Sequence, residues 1–410
     1  MVNNKIYIRQ YYMNKIKGFI DSDLIKVITG IRRCGKSCFL LSIIGELLSN
    51  GISSKDIIQI NLDKRGYKSI RTAEQLEKLI DEKIQDEDYK YLFIDEIQNV
   101  EGFEEVINAY REEGNFSIFI TGSNSYLLSG ELATKLTGRY IEIEMFPLNF
   151  YEFLDMKNFK GASVSKNIME EFTEYIRFGG FPKTLEFERS EDKDFYVKNV
   201  ITQIIDKDIV KHRKIRNKNV FDKVMTYIIN NFGATTSLTN ILDYFHNEEG
   251  IPIRRETLRT YIEILENAKI IYKCPRFDLR SKKSLRGEEK YYLADLSIYY
   301  SRNTDTRINY GPVLENIMYT YLRAKEYAMS VGRIGTLECD FITRKRDIYQ
   351  YIQVAMTIMD KATEDREYKP FLMIKDNYPK YLFTLDQLLQ KRDGIEHCNM
   401  LEFISQDKEL

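Results

Sequence analysis

The octet Gly30-Ile31-Arg32-Arg33-Cys34-Gly35-Lys36-Ser37 constrains this chain more than any other stretch, because it fits the pattern G-x-x-x-x-G-K-[ST]. It stands between an apolar run at residues 25–29, expected as a strand, and a run in which Phe39, Leu40, Ile43, Ile44, Leu47 and Leu48 recur at helical spacing. Strand, glycine loop and helix in that order make a cradle for phosphate. The glycines let the backbone wrap so that successive N–H groups converge, and the helix N-terminus adds partial positive charge. Lys36 is expected to reach the β- and γ-phosphates of ATP, and Ser37 to place its hydroxyl on Mg2+. The binding surface would run from Gly30, Ile31, Arg32 and Arg33 through Cys34, Gly35 and Lys36 to Ser37 and Cys38. Cys34 and Cys38 lack the further ligands of a zinc site and read as small packing residues.

A second apolar run, residues 91–95, leads into Asp95 and Glu96. Both carboxylates then fall at the carboxyl edge of a sheet, where open α/β folds bind ligands. Successive strand side chains point opposite ways, so Asp95 is expected to hold Mg2+ or its water while Glu96 polarises the attacking water. A third run, residues 117–121, is followed by Gly122-Ser123-Asn124, which makes Asn124 a candidate sensor of the γ-phosphate. Arg139, after Gly138 at the start of the next run, is a candidate for transition-state charge, in cis or across a subunit boundary.

The 61 basic and 62 acidic side chains nearly cancel, so any nucleic-acid surface must be local. Five cysteines, at 34, 38, 274, 339 and 398, do not look like a disulfide framework. The first residues lack the apolar stretch of a signal peptide, and no run approaches the ~18 apolar residues of a membrane span. A cytoplasmic protein with no membrane partner is expected.

Residues 1–150 alternate strand-like runs, at 25–29, 57–62, 91–95, 117–121 and 140–145, with helical patterns, which predicts an α/β core on a mostly parallel sheet. Residues 151–216 read as a helical lid, broken by the turn Phe178-Gly179-Gly180-Phe181-Pro182. Residues 217–305 read as helices at 220–231, 238–246 and 255–268, then strands at 270–275 and 290–294, the plan of a winged helix. Residues 306–410 open with a helix and continue with strands at 339–343 and 349–356, expected as a separate small α/β domain.

Assembled, these stretches resemble a large prokaryotic family of AAA+ ATPases that carry a C-terminal domain of unknown function. The resemblance rests on residues 28–37, Phe93-Ile94-Asp95-Glu96-Ile97-Gln98, Thr121-Gly122-Ser123, Leu136-Thr137-Gly138-Arg139-Tyr140, Pro147-Leu148 and Gly179-Gly180-Phe181-Pro182, and it covers essentially the whole chain. It implies a P-loop NTPase (AAA+) core with a helical lid, a winged-helix segment and a terminal domain similar to restriction-endonuclease folds. It also favours nucleotide-dependent homo-oligomers. Nucleases of that fold set a helix-borne Glu, a strand Asp and an (Asp/Glu)-x-Lys around a metal. Glu315, Asp340 and Gln353-Val354-Ala355 stand in what look like the corresponding places, with Gln353 for a carboxylate and Ala355 for the lysine, so the domain is expected to be inactive.

Basic residues gather locally around the winged helix. Lys207, Lys211, Arg213, Lys214, Arg216 and Lys218 precede it, Arg254, Arg255 and Arg259 lie on its third helix, and Arg280, Lys282, Lys283 and Arg286 lie in its turn. Such clustering suits the phosphates of double-stranded DNA. The sequence thus reads as an ATPase whose Mg-ATP turnover drives conformational change on a DNA or protein partner. The alternatives are an ATP-gated nuclease, with nicking lost in Asp340→Ala, and an ATP-binding regulator with negligible turnover.

Overall fold

Five runs rich in β-branched and aromatic residues become β1 (Ile25–Thr29), β2 (Ile57–Asn61), β3 (Lys90–Asp95), β4 (Phe116–Thr121) and β5 (Tyr140–Glu144). The computed structural model describes residues 6–122, 136–210, 215, 217–281, 283–303 and 307–410. The strands pair in the order β2-β3-β4-β1-β5, all in parallel. Parallel neighbours need crossovers. Helix α1 (Gln10–Lys17) precedes the sheet, and α2 (Lys36–Ser49), α3 (Ala73–Asp81) and α4 (Phe103–Glu113) lie between its strands in sequence. β1, β3 and β4 are buried along their whole length, as befits a sheet covered on both faces. α2 buries Phe39, Leu40, Ile43 and Leu47, whereas Leu48 faces solvent, so its apolar stripe is narrower than the spacing predicts. The order matters for the site: β4 separates β1 from β3, and its last residue, Thr121, stands between the loop after β1 and the acids at the end of β3.

The chain parts into two units, Met1–Pro147, which holds this sheet, and Leu148–Leu410. The second begins with α5 (Phe150–Phe159), opened by a capping box of Asn149 and Glu152, followed by α6 (Ile168–Phe178) and α7 (Ser190–Gln203). The turn after α6 demands glycine. Gly179 has φ +71°, and a Cβ on it would overlap the Asp295 carboxylate, while the Gly180 N–H donates to Asp295 Oδ2 at 2.7 Å. Burial pushes the Asp295 carboxyl up to about 6, against hydrogen bonds from Ser297 and Gly180.

Next come α8 (Lys218–Asn230), β6 (Thr235–Thr236), α9 (Leu238–Asn247), α10 (Arg255–Asn267) and a hairpin of β7 (Ile271–Asp278) and β8 (Lys283–Leu293). The hairpin is longer than the sequence pattern predicts. Beyond a register shift between Pro275 and Arg276 the strands pair again, from Arg276 opposite Leu285 to Asp278 opposite Lys283. α11 (Ser297–Arg302), α12 (Tyr310–Ala324), β9 (Ala328–Ile334), β10 (Leu337–Lys345), β11 (Ile348–Val354), α13 (Lys361–Met373), β12 (Lys380–Thr384), β13 (Lys391–Arg392), β14 (Ile395–Asn399) and α14 (Met400–Ser405) complete the chain. The strands form one mixed sheet, β13-β14-β12-β11-β10-β9-β7-β8-β6. β7 runs parallel to β9, with Arg276 opposite Val331, so strands on either side of residue 305 share that sheet.

Candidate functional site

Between Thr29 and Lys36 the backbone turns through left-handed conformations at Gly30 (φ 135°), Arg33 (71°) and Gly35 (111°). Only glycine fits at Gly30, where a Cβ would overlap the carbonyl oxygen of Met145. Lys36 is 5% exposed and donates its ammonium to the carbonyls of Gly30 at 2.9 Å and Ile31 at 3.2 Å. An ammonium has three hydrogens, so two loop carbonyls leave one for a phosphate oxygen. Ser37 lies exposed in the first turn of α2. Of the two cysteines only Cys34 is buried; Cys38 is exposed, which corrects its reading as a packing residue.

Asp95 is 5% exposed, and each of its oxygens is held: Asn61 Nδ2 donates to Oδ2 at 2.7 Å, and the Thr121 hydroxyl donates to Oδ1. Glu96 departs from the expectation that it points opposite to Asp95 along a strand. The strand stops at Asp95, and Glu96 turns into the left-handed region at φ 60°, ψ 46°. A side chain there costs on the order of 1 kcal/mol, the kind of local strain that collects at functional sites. Its amide donates to Thr121 Oγ1 at 3.1 Å, and Gln98 Nε2 donates to its carboxylate at 2.5 Å. Burial raises the Glu96 pKa, the charges of Lys36 and Arg32 oppose that rise, and Asp95 adds to it. The two cations that act on Glu96 belong to the glycine loop, so loop and acids form one site. Thr121 and Asn61 escape the sequence reading. The available signal was their place at the ends of β4 and β2, with Asn61 in register with Asp95.

The donor set fits a hard cation. A carboxylate whose oxygens each carry one hydrogen bond, with an exposed hydroxyl at the start of α2, matches Mg2+, which takes one or two carboxylates together with phosphate oxygens and water.

Arg139 is not brought to the loop. Its carbonyl accepts the N–H of Ile25 at 2.9 Å, at the amino end of β1, so Gly30 is about 16 Å further along at ~3.3 Å per residue. Its side chain is 42% exposed, and its guanidinium donates to Asn108 Oδ1 at 2.9 Å and lies 3.8 Å from Glu112 on α4. Asn124 lies outside the described residues, as do Lys211, Arg213, Lys214, Arg216, Lys282 and the side chains of Lys207 and Arg286. Lys218, Arg254, Arg255, Arg259, Arg280 and Lys283 are exposed.

A second polar cluster lies in the terminal segment, beside a cavity of about 410 Å3 lined in part by Glu315, Asp340, Gln353 and Ala355. Gln353 is locked, its carbonyl accepting the Asp340 N–H at 2.9 Å and its amide donating to Glu367 at 2.9 Å. Lys290 of β8, 4% exposed, donates to Glu315 at 2.9 Å and pairs with Glu338 at 2.8 Å. Tyr292 donates its hydroxyl to Glu315 at 3.0 Å. Burial holds the Asp340 carboxyl well above the usual range, Glu315 adds to this, and Lys290 opposes it. A cation thus stands among these acids, although Ala355 occupies the place where a local pattern puts the lysine. Among the described residues the acids whose oxygens converge as metal ligands would are Asp56, Asp86 and Asp88, and Lys55 and Lys90 pair with them.

A family model described as an AAA domain matches residues 22–154, and one described as a domain of unknown function (DUF8612) matches residues 169–307. An uncharacterized protein of Haemophilus influenzae is 35% identical over 400 residues, 97% of this chain and 98% of its own length. An uncharacterized protein of Methanocaldococcus jannaschii is 32% identical over 360 residues, 85% of this chain and 78% of its own. The solved structure of a Walker-type ATPase of Pyrococcus abyssi, 18% identical, aligns with a TM-score of 0.51 over 72% of this chain and 95% of its own, a likeness of fold.

Proposed function

The chain belongs to the family of the Haemophilus influenzae protein and carries an AAA domain, and on that premise we propose that it is an ATPase whose Mg-ATP turnover changes its conformation on a DNA or protein partner. The observation that carries this reading is the gathering of Lys36, Asp95 and Glu96 at one edge of the five-stranded sheet, with Thr121 holding both acids. The amides of the loop and Lys36 bind the β- and γ-phosphates; Ser37 and Asp95 would hold Mg2+, which when bound withdraws charge from those phosphates. Glu96 takes a proton from the attacking water as its oxygen bonds to the γ-phosphorus, and the bond to the bridging oxygen breaks to leave ADP. Arg139, exposed at the far edge of the sheet, fits a role in trans, across the boundary of a homo-oligomer.

We read α8 to α10 with the β7–β8 hairpin as a winged helix, and the exposed Arg254, Arg255, Arg259, Arg280 and Lys283 suit phosphate contacts to double-stranded DNA. Among the described residues no helix is long and apolar enough to cross a membrane. The nuclease alternative is disfavoured by Gln353, which stands where that fold's nucleases carry a metal-binding carboxylate and whose amide is locked between Asp340 and Glu367. The terminal segment then serves as a scaffold or binding surface.

The test is ATP hydrolysis by the wild-type and Glu96→Gln proteins, with and without double-stranded DNA. DNA-stimulated turnover that vanishes in Glu96→Gln supports both the base and the partner. Turnover indifferent to DNA points to a protein partner. No turnover under any condition would sink the hydrolytic reading and leave an ATP-binding regulator.

A further inference from the structure

Arg9 lies 16 residues ahead of β1, outside every motif, yet it is 5% exposed and reaches into the wall of the glycine loop. Its guanidinium donates to the carbonyl of Cys34 at 3.3 Å, of Phe146 at 2.6 Å and of Pro147 at 3.3 Å. It lies 4.5 Å over the ring of Tyr12, whose hydroxyl accepts the Phe146 N–H at 3.1 Å. A guanidinium is a rigid fork of five donors, so it can hold several carbonyls in a fixed mutual geometry.

The Cys34 carbonyl and the Gly35 N–H belong to one planar trans peptide and point in opposite directions. Fixing that carbonyl on Arg9 fixes where the Gly35 N–H points, and a phosphate in the loop needs such N–H groups aimed at it. The same guanidinium holds the last two residues of the first unit, after which the chain passes to Leu148. Two further contacts join the loop to this exit: Gly30 rests against the Met145 carbonyl, and the Met145 N–H donates to Thr29 at 2.9 Å.

We propose that Arg9 is a positioning residue of the nucleotide site, which sets the Cys34–Gly35 peptide for phosphate binding and ties it to Phe146 and Pro147, so that nucleotide occupancy is felt where the chain leaves the first unit. This rests on the nucleotide-binding reading above but not on hydrolysis, and Mg-ADP is therefore the probe.

Calorimetric titration of Mg-ADP into full-length wild type, Arg9→Met and Arg9→Lys is the experiment. Arg9→Met should weaken binding about ten-fold, the scale of one charge-assisted hydrogen bond, and Arg9→Lys should recover part of that. In turnover the KM for ATP should rise by a similar factor, with kcat within about two-fold. A folded Arg9→Met that binds Mg-ADP like wild type overturns the proposal, as does a loss of thermal stability with unchanged affinity. If Arg9→Met does not fold, hydrogen exchange on the wild type decides: Mg-ADP slowing the amides of Met145 and Phe146 as well as those of the loop is the expected result, and slowing confined to the loop overturns it. Wild type that fails to bind Mg-ADP sinks the nucleotide reading itself and this inference with it. Wild type that binds Mg-ADP but does not hydrolyse ATP removes only the hydrolytic reading.

Discussion

The hydroxyl of Thr121 donates to the buried carboxylate of Asp95. The same oxygen accepts the amide hydrogen of Glu96, so one side chain at the end of β4 fixes both acids at the end of β3. Replacing it with valine keeps the shape and removes both bonds. Thr121→Val should lower kcat about ten- to hundred-fold, since one well-placed polar group is worth ~1.5–3 kcal/mol next to a charge, and should leave Mg-ADP affinity nearly unchanged. Steady-state turnover with a parallel binding titration checks this, and an unaltered kcat would leave Thr121 with a packing role only.

Burial holds Glu96 above the ordinary carboxylate value of 4.5. A general base works deprotonated, so turnover should fall as pH drops through that raised pKa, and the acid limb of kcat/KM should lie above 4.5. Gln98 donates to the charged form, so Gln98→Ala should push the limb further up. A pH–rate profile of both proteins tests the sign; a limb that moves down in Gln98→Ala contradicts the assignment.

Gly30 combines φ 135° with direct contact on the Met145 carbonyl. Gly30→Ala should abolish Mg-ADP binding and lower stability by roughly 1–3 kcal/mol, because both loop and exit strand must shift. Gly18 is the control, having open space where a Cβ would go and φ −69°. Gly18→Ala should be neutral or slightly stabilising in urea unfolding, by about 0.5 kcal/mol.

Lys290 is buried against Glu315 and Glu338, so Lys290→Met takes the cation from Glu315, while Glu338 keeps Arg276 at 3.0 Å. Removing one partner of a buried ion pair costs on the order of 3–5 kcal/mol. The double change Lys290→Met with Glu315→Gln should be milder than Lys290→Met alone. Chemical denaturation of wild type, Lys290→Met, Glu315→Gln and the double variant measures the coupling, and additive losses would show that the pair does not interact.

The nucleotide site was legible because its chemistry is written in short spacings. A glycine loop of eight residues and a strand ending in two acids carry their own geometry, and β1 through β5 follow from runs that are apolar and bounded by turns. What escaped was whatever acts across long separations. Arg9 reaches main-chain oxygens, which leave no trace in side-chain patterns, and Thr121 matters only because β4 lies beside β3. Lys290 stands on a strand of the hairpin, so a search for a lysine two residues after Gln353 finds Ala355 instead. Arg139 sits after the right glycine but at the amino end of β1, and only strand pairing tells which end that is.

The seam between β7 and β9 has a consequence for anyone who shortens this chain. Parallel strands cannot be joined by a tight turn, and here a long connection, with β8, α11 and α12 in it, separates the two partners. A fragment stopped near residue 305 would keep β7 and lose the strand that covers its edge. Exposed backbone donors and acceptors on such an edge recruit other chains. The trimmed protein would then be a building block for aggregates, whereas the intact molecule supplies its own stopper.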